Sequence, residues 1–544
     1  MSLDTSFKKK SAKLKLLCIT PRIQTRSLTD VIFFAVYCFL LLISSISQIN
    51  ADSLVRVDYD KNPSDLQKVL MSGFRTILHR PGLFIDVVVP QKRSQWISSL
   101  SSTRILHQNF DQYIKAISST KDFGSYHTEQ EIEDQLTQWE AQYPHLVQKS
   151  IIGYGWNDKN SRGPSPINLI TLGSPSENKP ALLLFAGIHS REISSTEILL
   201  RIVDRILAES RDQDSPNRAA LDAVTVYVIP CLNPDGRKLV FDGNIWWRKN
   251  CRPGKGTAIT GVDINRNFPF HFGPNNPYGG SSNSLESETY RGPTPFSEPE
   301  AKALRDLVIN HPEIVASASF HSYGGFILVP NGFNGLWPEK HESLYREVTD
   351  FITGNENWPI GTVKDLLGYY SNGRHDDWLY GSKSALKKQI LAIQLEIGES
   401  FFPEAHKLKP LTDRVFPLIK RFMDRISMTP SVTVKKTTTI NSATGALNDS
   451  KDTLLFSIEN NQLKPLNNLT VRISINNKIF KPYKISSLGG LLRGNKPVAS
   501  VHSINVDKNL IKGNTLCNVR LKWSGGSCNI PLKLPDGNTK TFVE

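Results

Sequence analysis

The chain has 544 residues, of which 39% are hydrophobic and 21% charged, a globular composition with apolar material for two to four folded units rather than one core. Its formal net charge is +14, and part of that sits in the first thirty residues, where Lys8, Lys9, Lys10, Lys13, Lys15, Arg22 and Arg26 outnumber the acids. The rest is scattered, with no long basic run and no aromatic-interleaved basic stripe, which argues against a nucleic-acid partner.

The basic N-terminus precedes an apolar run from Val31 to about Ile49 that includes Phe33, Phe34, Leu40, Leu41, Leu42 and Ile43. That is the order of a secretory signal. The run also approaches the roughly 20 residues that span a bilayer, so a membrane anchor through residues 31–49 is the alternative. Residues 1–51 are therefore expected to be a signal peptide or signal anchor, and everything after Asp52 to be secreted or lumenal. Outside this segment Cys231, Cys251, Cys517 and Cys528 remain, enough for two disulfides, and no CxxC pair suggests a cysteine-ligated zinc. Asn448-Asp449-Ser450 and Asn468-Leu469-Thr470 are glycosylation sequons.

Residues 53–118 read as a small α+β unit. Leu54 to Val57 and Phe84 to Val89 alternate as strands, the second stopped by Pro90, while Ser64 to Met71 and Ser94 to Ser101 read as short helices. The main unit is expected over residues 121–428. Ile132, Leu136, Trp139 and Tyr143 mark a helix over 129–143. The segments 181–188, 224–230, 314–320 and 390–396 are short, continuous apolar runs, as in strands buried on both faces. Amphipathic helices are expected between them, at 194–209 and 298–310, so the fold class is α/β: a mixed, mostly parallel sheet with helices on both faces. Residues 430–450 are polar and read as a linker; 451–544 carry short alternating runs and read as a small all-β domain. In that domain Ser524-Gly525-Gly526-Ser527 is a hairpin-like turn that would bring Cys517 and Cys528 together.

Polar residues fall where the apolar strands stop. The first run ends at His189-Ser190-Arg191-Glu192, the second near Asn233-Pro234-Asp235-Gly236, the third at His321 and the fourth at Glu396. Ligands of open α/β sheets bind beyond the carboxyl ends of the strands, so these residues would share one polar site. His189 and Glu192, three apart at a strand-to-helix turn, together with His321 make a two-His, one-carboxylate set that leaves a coordination position open, as catalytic zinc requires.

Around these residues stand Phe123-Gly124-Ser125-Tyr126-His127-Thr128, Gly187-Ile188-His189-Ser190-Arg191-Glu192, Asn233-Pro234-Asp235-Gly236, Trp247-Arg248-Lys249-Asn250, Gly261-Val262-Asp263-Ile264-Asn265-Arg266-Asn267-Phe268, Phe296-Ser297-Glu298-Pro299-Glu300 and Phe320-His321-Ser322-Tyr323. In this order they resemble the zinc metallocarboxypeptidase family, its pancreatic A/B branch in particular, over residues 123–425. The resemblance implies a zinc-dependent exopeptidase that releases single C-terminal residues from peptides and proteins, with one Zn2+ per chain on His189, Glu192 and His321. It implies that Arg248 stabilises the oxyanion and that Asn265 and Arg266 grip the substrate's terminal carboxylate. It makes Tyr380, in Asp377-Trp378-Leu379-Tyr380, the residue that closes over that group, and Arg191 an accessory substrate-binding residue. The general base is Glu396, which ends its strand, with Glu399 the competing candidate because Gln394-Leu395-Glu396-Ile397-Gly398-Glu399 departs from the pancreatic pattern. Ile85-Asp86-Val87-Val88-Val89-Pro90 resembles the family's pro-segment, removable after Arg104, Lys115 or Lys121. An inactive peptide-binding relative and a zinc amidase are the alternatives; the first would lack a ligand or the base, the second the Asn265-Arg266 grip.

Overall fold

A computed structural model describes residues 51–533 apart from short stretches, the longest being 114–122, 157–164, 382–388, 489–498 and 508–515. Residues 1–50, with most of the expected signal or anchor, and 534–544 lie outside the described residues. Among the described residues no helix is long and apolar enough to cross a membrane.

The N-terminal unit is a four-stranded antiparallel sheet of β1 (Ser53–Asp58), β2 (Arg75–Arg80), β3 (Phe84–Val89) and β4 (Thr103–His107) in the order β2-β3-β1-β4. The helix Pro63–Ser72 and a 3-10 helix over Gln91–Ser99 accompany it. Val55, Val57, Ile85 and Val87 form its core with Leu66 and Val69 of the helix. Arg56 and Asp86 are register partners on β1 and β3 and form an ion pair at 2.7 Å. Among the described residues the unit touches the main domain where Leu54, Val88 and Phe110 pack on Trp246, where Leu66 lies beside Gly368, and where Lys92 pairs with Glu286 at 3.3 Å.

The main domain is built on an eight-stranded mixed sheet. Its strands are β5 (Val147–Tyr154), β6 (Pro166–Leu172), β7 (Ala181–Ala186), β8 (Thr225–Ile229), β9 (Ile314–His321), β10 (Phe326–Leu328), β11 (Ile360–Gly361) and β12 (Leu391–Glu396). Their order is β11-β10-β12-β9-β7-β8-β6-β5. The four apolar runs read from the sequence are the central strands β12, β9, β7 and β8, mutually parallel, and every residue in them is buried. Alternation sorts β7 between the faces. Leu182, Leu184 and Ala186 join a core with the helices Glu129–Gln142, Ile193–Glu209, Glu342–Thr353 and Ala405–Ser427. Ala181, Leu183 and Phe185 join another with Pro299–Asn310 and His375–Gly381. Each buried leucine contributes about 2 kcal/mol relative to exposure, so this sheet is a rigid base for what its strand ends carry. Thr128 and Glu131 form a capping box that starts the helix Glu129–Gln142.

The helix Pro299–Asn310 takes an acid into the interior. Glu300 is fully buried, its Oε2 accepting from Asn250 Nδ2 at 2.9 Å while Oε1 has no partner. Burial, reinforced by the nearby Glu298 and Asp235, pushes its carboxyl up to about 8. The folded chain then holds a proton that the unfolded chain releases above about pH 4.3, so the stability tied to this proton is full below that pH and falls as pH rises towards 8. Glu300→Gln removes the titration and keeps an acceptor for Asn250. The pH-dependent part of its stability gain should be absent near pH 4 and reach about 3 kcal/mol at pH 7. Thermal unfolding across that range checks this; a difference that does not change with pH counts against a buried neutral acid.

Beyond residue 430 all described elements are strands, in a three-stranded and a five-stranded sheet. The segment read as a linker is instead a strand, Ser431–Ile440, paired antiparallel with Leu447–Glu459; its Val432, Val434 and run of threonines suit a pleated chain. The expected hairpin forms between Leu516–Trp523 and Gly526–Lys533, but its register sets Cys517 against Leu532 and Cys528 against Leu521. The two cysteines are therefore not opposite each other. Cys231 and Cys517 are both free and buried, so the two expected disulfides do not form.

Candidate active site

The site lies beyond the carboxyl ends of β7, β9 and β12. After β7 the chain turns at Gly187, whose φ is +66° and where an added Cβ would stand 2.9 Å from Cys231 Sγ. Only glycine suits both demands. The turn delivers His189, and Glu192 stands just before the helix Ile193–Glu209 without a side-chain bond to its first turn. His321 ends β9 and Glu396 ends β12. These two are register partners on adjacent parallel strands, and Ile397 N donates to His321 O at 2.8 Å.

His189 Nδ1 is 2.7 Å from Glu192 Oε1, His321 Nδ1 is 2.9 Å from Glu192 Oε2, and the two Nδ1 atoms are 3.2 Å apart. All three residues are buried, and they form a group of the kind that holds a metal ion. A tetrahedral zinc with ligands at about 2.0–2.1 Å has ligand-to-ligand edges of about 3.3 Å, close to these separations. Burial holds the His321 imidazole down at about 4, in the neutral form a metal requires. Burial opposes the Glu192 charge, but the flanking imidazoles outweigh it and keep the carboxyl below its usual range. His189 Nε2 faces Asp263 Oδ1 at 3.2 Å, which fixes the tautomer and leaves Nδ1 as the ligand atom. The donor set fits zinc.

Asp263 also organises the cations. Its Oδ2 accepts from Arg248 Nε and Nη2 at 3.1 and 2.9 Å, and Arg266 Nη1 lies 3.8 Å from it. Burial works against the Asp263 charge; Arg248, Arg266 and His189 outweigh it and hold the carboxyl well below the usual range. Arg248 Nη1 is 3.7 Å from Glu192 Oε1, which puts this guanidinium beside the histidine–glutamate cluster. Arg266 is fixed by bonds from Nε to Gly280 O and from Nη1 to Asn265 O, both 2.8 Å. Asn265 Oδ1 accepts from His375 N at 3.2 Å and faces its Nδ1 at 2.8 Å.

Glu396 is buried, and Gln394 Nε2 donates to its Oε1 at 2.6 Å. Burial, then the neighbouring Glu192 charge, pushes its carboxyl well above the usual range. Tyr369 is half-buried and close enough to Arg266, Arg248, Glu396 and Arg374 for their charges to bear on its hydroxyl.

A zinc carboxypeptidase family model matches residues 132–417, more than half of the chain. Carboxypeptidase A1 of Sus scrofa is 30% identical over 356 residues, spanning 61% of this chain and 82% of its own length. The chain belongs to the zinc carboxypeptidase family. Carboxypeptidase B of Astacus astacus is 27% identical over 55% of this chain and 96% of its own length. The carboxypeptidase fold is shared with the crystal structure of carboxypeptidase A from Helicoverpa armigera, with a TM-score of 0.55 at 20% identity over 69% of this chain and 98% of that one.

Within this zinc carboxypeptidase domain the structure gathers His189, Glu192, His321, Arg248, Asn265, Arg266 and Glu396, all expected from the sequence. Glu399, the rival base, is exposed. Arg191 turns away to Glu288, 3.3 Å from its Oε2, with its guanidinium 5.0 Å from the Phe401 ring centroid. Tyr380 is not at the site. It lies on the helix His375–Gly381, buried in the core, with its hydroxyl 2.8 Å from His341 Nδ1 and burial raising it to about 12. A packed, hydrogen-bonded tyrosine is not free to close over a substrate; Tyr369 is the tyrosine beside the arginines. Asp263, Arg374 and Gln394 are residues of the site beyond those expected from the sequence; Asp263, between Val262 and Ile264, carries the local signal of a buried acid.

Proposed function

We propose that this protein is an active metallocarboxypeptidase that removes single residues from the C-termini of peptides and proteins. The observation that carries the reading is the convergence of His189, Glu192 and His321 beside a buried Glu396 and the Arg248–Asp263–Arg266 cluster. His189, Glu192 and His321 would hold one zinc ion, which when bound acidifies a water and polarises the scissile carbonyl. Glu396, seated at the end of β12 beside the histidine–glutamate cluster, takes the proton of the attacking water and returns it to the leaving amine. Arg248 keeps its charge because Asp263 and Glu192 outweigh the effect of burial, and its guanidinium meets the negative charge that grows on the carbonyl oxygen. Asn265, its Oδ1 committed to His375, has its Nδ2 left to donate to the substrate's terminal carboxylate, and Arg266 supplies the charge opposite that group. Tyr369, rather than Tyr380, takes the closing part, while Arg191 stays paired with Glu288.

The N-terminal unit, residues 53–118, is proposed to act as a pro-segment, since Leu66 beside Gly368 sets it next to Tyr369. Residues 1–51 would route the chain to an extracytoplasmic compartment, secreted or held at the membrane by residues 31–49. The apolar run that carries this reading lies outside the described residues.

The test is hydrolysis of peptides varied at the C-terminus, read by mass spectrometry, with and without a chelator. Stepwise loss of terminal residues, abolished by the chelator, is the expected result. Amidating the best substrate should cost at least about a hundredfold in kcat/KM, because the buried Arg266 then lacks its anionic partner. Equal rates on acid and amide, or internal cuts, would favour the amidase reading.

A further inference from the structure

Gln394 and Glu396 are two residues apart on β12, so their side chains leave the same face of the strand. Gln394 Nε2 donates to Glu396 Oε1 at 2.6 Å, and Gln394 Oε1 accepts from Arg374 Nη2 at 3.0 Å. Arg374 is itself clamped, with Nε and Nη2 donating to the two oxygens of Asp376 at 2.8 and 2.7 Å. All four side chains are buried, none more than 8% exposed. They form one chain of hydrogen bonds, Asp376–Arg374–Gln394–Glu396, that ends on the carboxylate beside the histidines.

The logic of the chain lies in the amide. An amide has an acceptor end and a donor end, and either can be turned towards a neighbour. A guanidinium only donates, so Arg374 takes the oxygen of Gln394 and leaves the nitrogen for Glu396. Asp376 in turn holds the guanidinium in the plane where it can do this. Facing Glu396 from the other elements are Glu192 after β7, Arg248, Tyr369 and Arg374. The Gln394 amide is the hydrogen-bond partner of the Glu396 carboxylate.

We propose that Gln394 is a positioning residue for the Glu396 carboxylate, with the direction of its amide set by the Arg374–Asp376 pair. One oxygen of Glu396 is thereby tied to the amide and the other is left to meet the attacking water. The proposal rests on the reading of Glu396 as the proton acceptor in peptide hydrolysis.

The test uses the full-length chain and the best peptide substrate, with kcat, KM, zinc content and thermal stability measured for each variant. Gln394→Leu should lower kcat by about ten- to a hundredfold with KM within about twofold of wild type and zinc content unchanged. Arg374→Met should lower kcat comparably, because the amide oxygen then loses its donor and the amide is no longer held with its nitrogen on the carboxylate. Since Arg374 acts through Gln394, Arg374→Met combined with Gln394→Leu should be no slower than Gln394→Leu alone. Arg374→Lys, also a donor only, should recover part of the loss. If Arg374→Met does not fold because Asp376 is stranded, Arg374→Met with Asp376→Asn takes its place. A Gln394→Leu enzyme with wild-type kcat, a loss confined to KM, or additive losses in the double variant would overturn the proposal while leaving the peptidase reading intact. A wild-type chain inert towards every peptide overturns both.

Discussion

Glu396→Gln is expected to lower turnover by about three to four orders of magnitude while zinc content and substrate affinity stay at wild-type levels. The substitution keeps the size and the buried seat of the side chain at the end of β12. It leaves His189, Glu192 and His321 untouched, so the metal site keeps its ligand atoms. What it removes is the one atom able to accept the water's proton and hand it to the departing amine. It also sets two amides, 394 and 396, against each other where an amide had donated to a carboxylate. Glu399→Gln is the control: that residue is exposed, and its loss should change kcat by no more than about twofold. Steady-state kinetics on a free-acid peptide, with metal analysis of the same preparations, decides the matter. The opposite ranking of the two variants would move the base to Glu399.

His189→Ala should abolish both stoichiometric zinc and hydrolysis. The imidazole is held from two sides, by Glu192 Oε1 at 2.7 Å and Asp263 Oδ1 at 3.2 Å, so its removal deletes a ligand and leaves a gap between two buried carboxylates. Two remaining ligands do not make the three-ligand set of a catalytic zinc. Asp263 keeps Arg248 and Glu192 keeps His321, so each carboxylate loses only one of its partners, and the fold is weakened by about 1–3 kcal/mol. His189→Asn, which retains a polar group there, therefore accompanies it. Full zinc occupancy in either folded variant would sink the ligand assignment.

The central sheet was legible because parallel strands buried on both faces must be apolar throughout, and four such runs stand out in a chain of this composition. The clustering of His189, Glu192 and His321 was legible for a related reason, since a polar residue straight after an apolar strand has nowhere to go but the strand-end crevice. Other parts depended on contacts that no local pattern records. Tyr380 was misread because Asp377-Trp378-Leu379-Tyr380 is helical, and the residue that captures its hydroxyl, His341, is 39 positions away. Arg374 and Gln394 are 20 positions apart and meet only once the helix His375–Gly381 has docked beside β12. The helix Ala405–Ser427 carries Pro410 and Pro417, residues that ordinarily argue against a helix interior. The strand Ser431–Ile440 is hard to tell from a linker because the paired lysines within it and the polar residues 441–450 after it suggest solvent more than sheet.

Cys231 stands at the foot of the crevice, just after β8 and against the Gly187 turn, as a buried and unbridged thiol. Burial, followed by the nearby Glu129, raises it well above the ordinary thiol range, so in the folded protein it is almost never the reactive thiolate. Its surroundings thus protect it chemically from the disulfide exchange that would trap an accessible cysteine. The same seclusion makes it an internal clock. An alkylating reagent meets this sulfur only in molecules whose β7–β8 ends have opened, so the rate of labelling counts openings of the scaffold beneath His189 and Glu192 and needs no engineered probe.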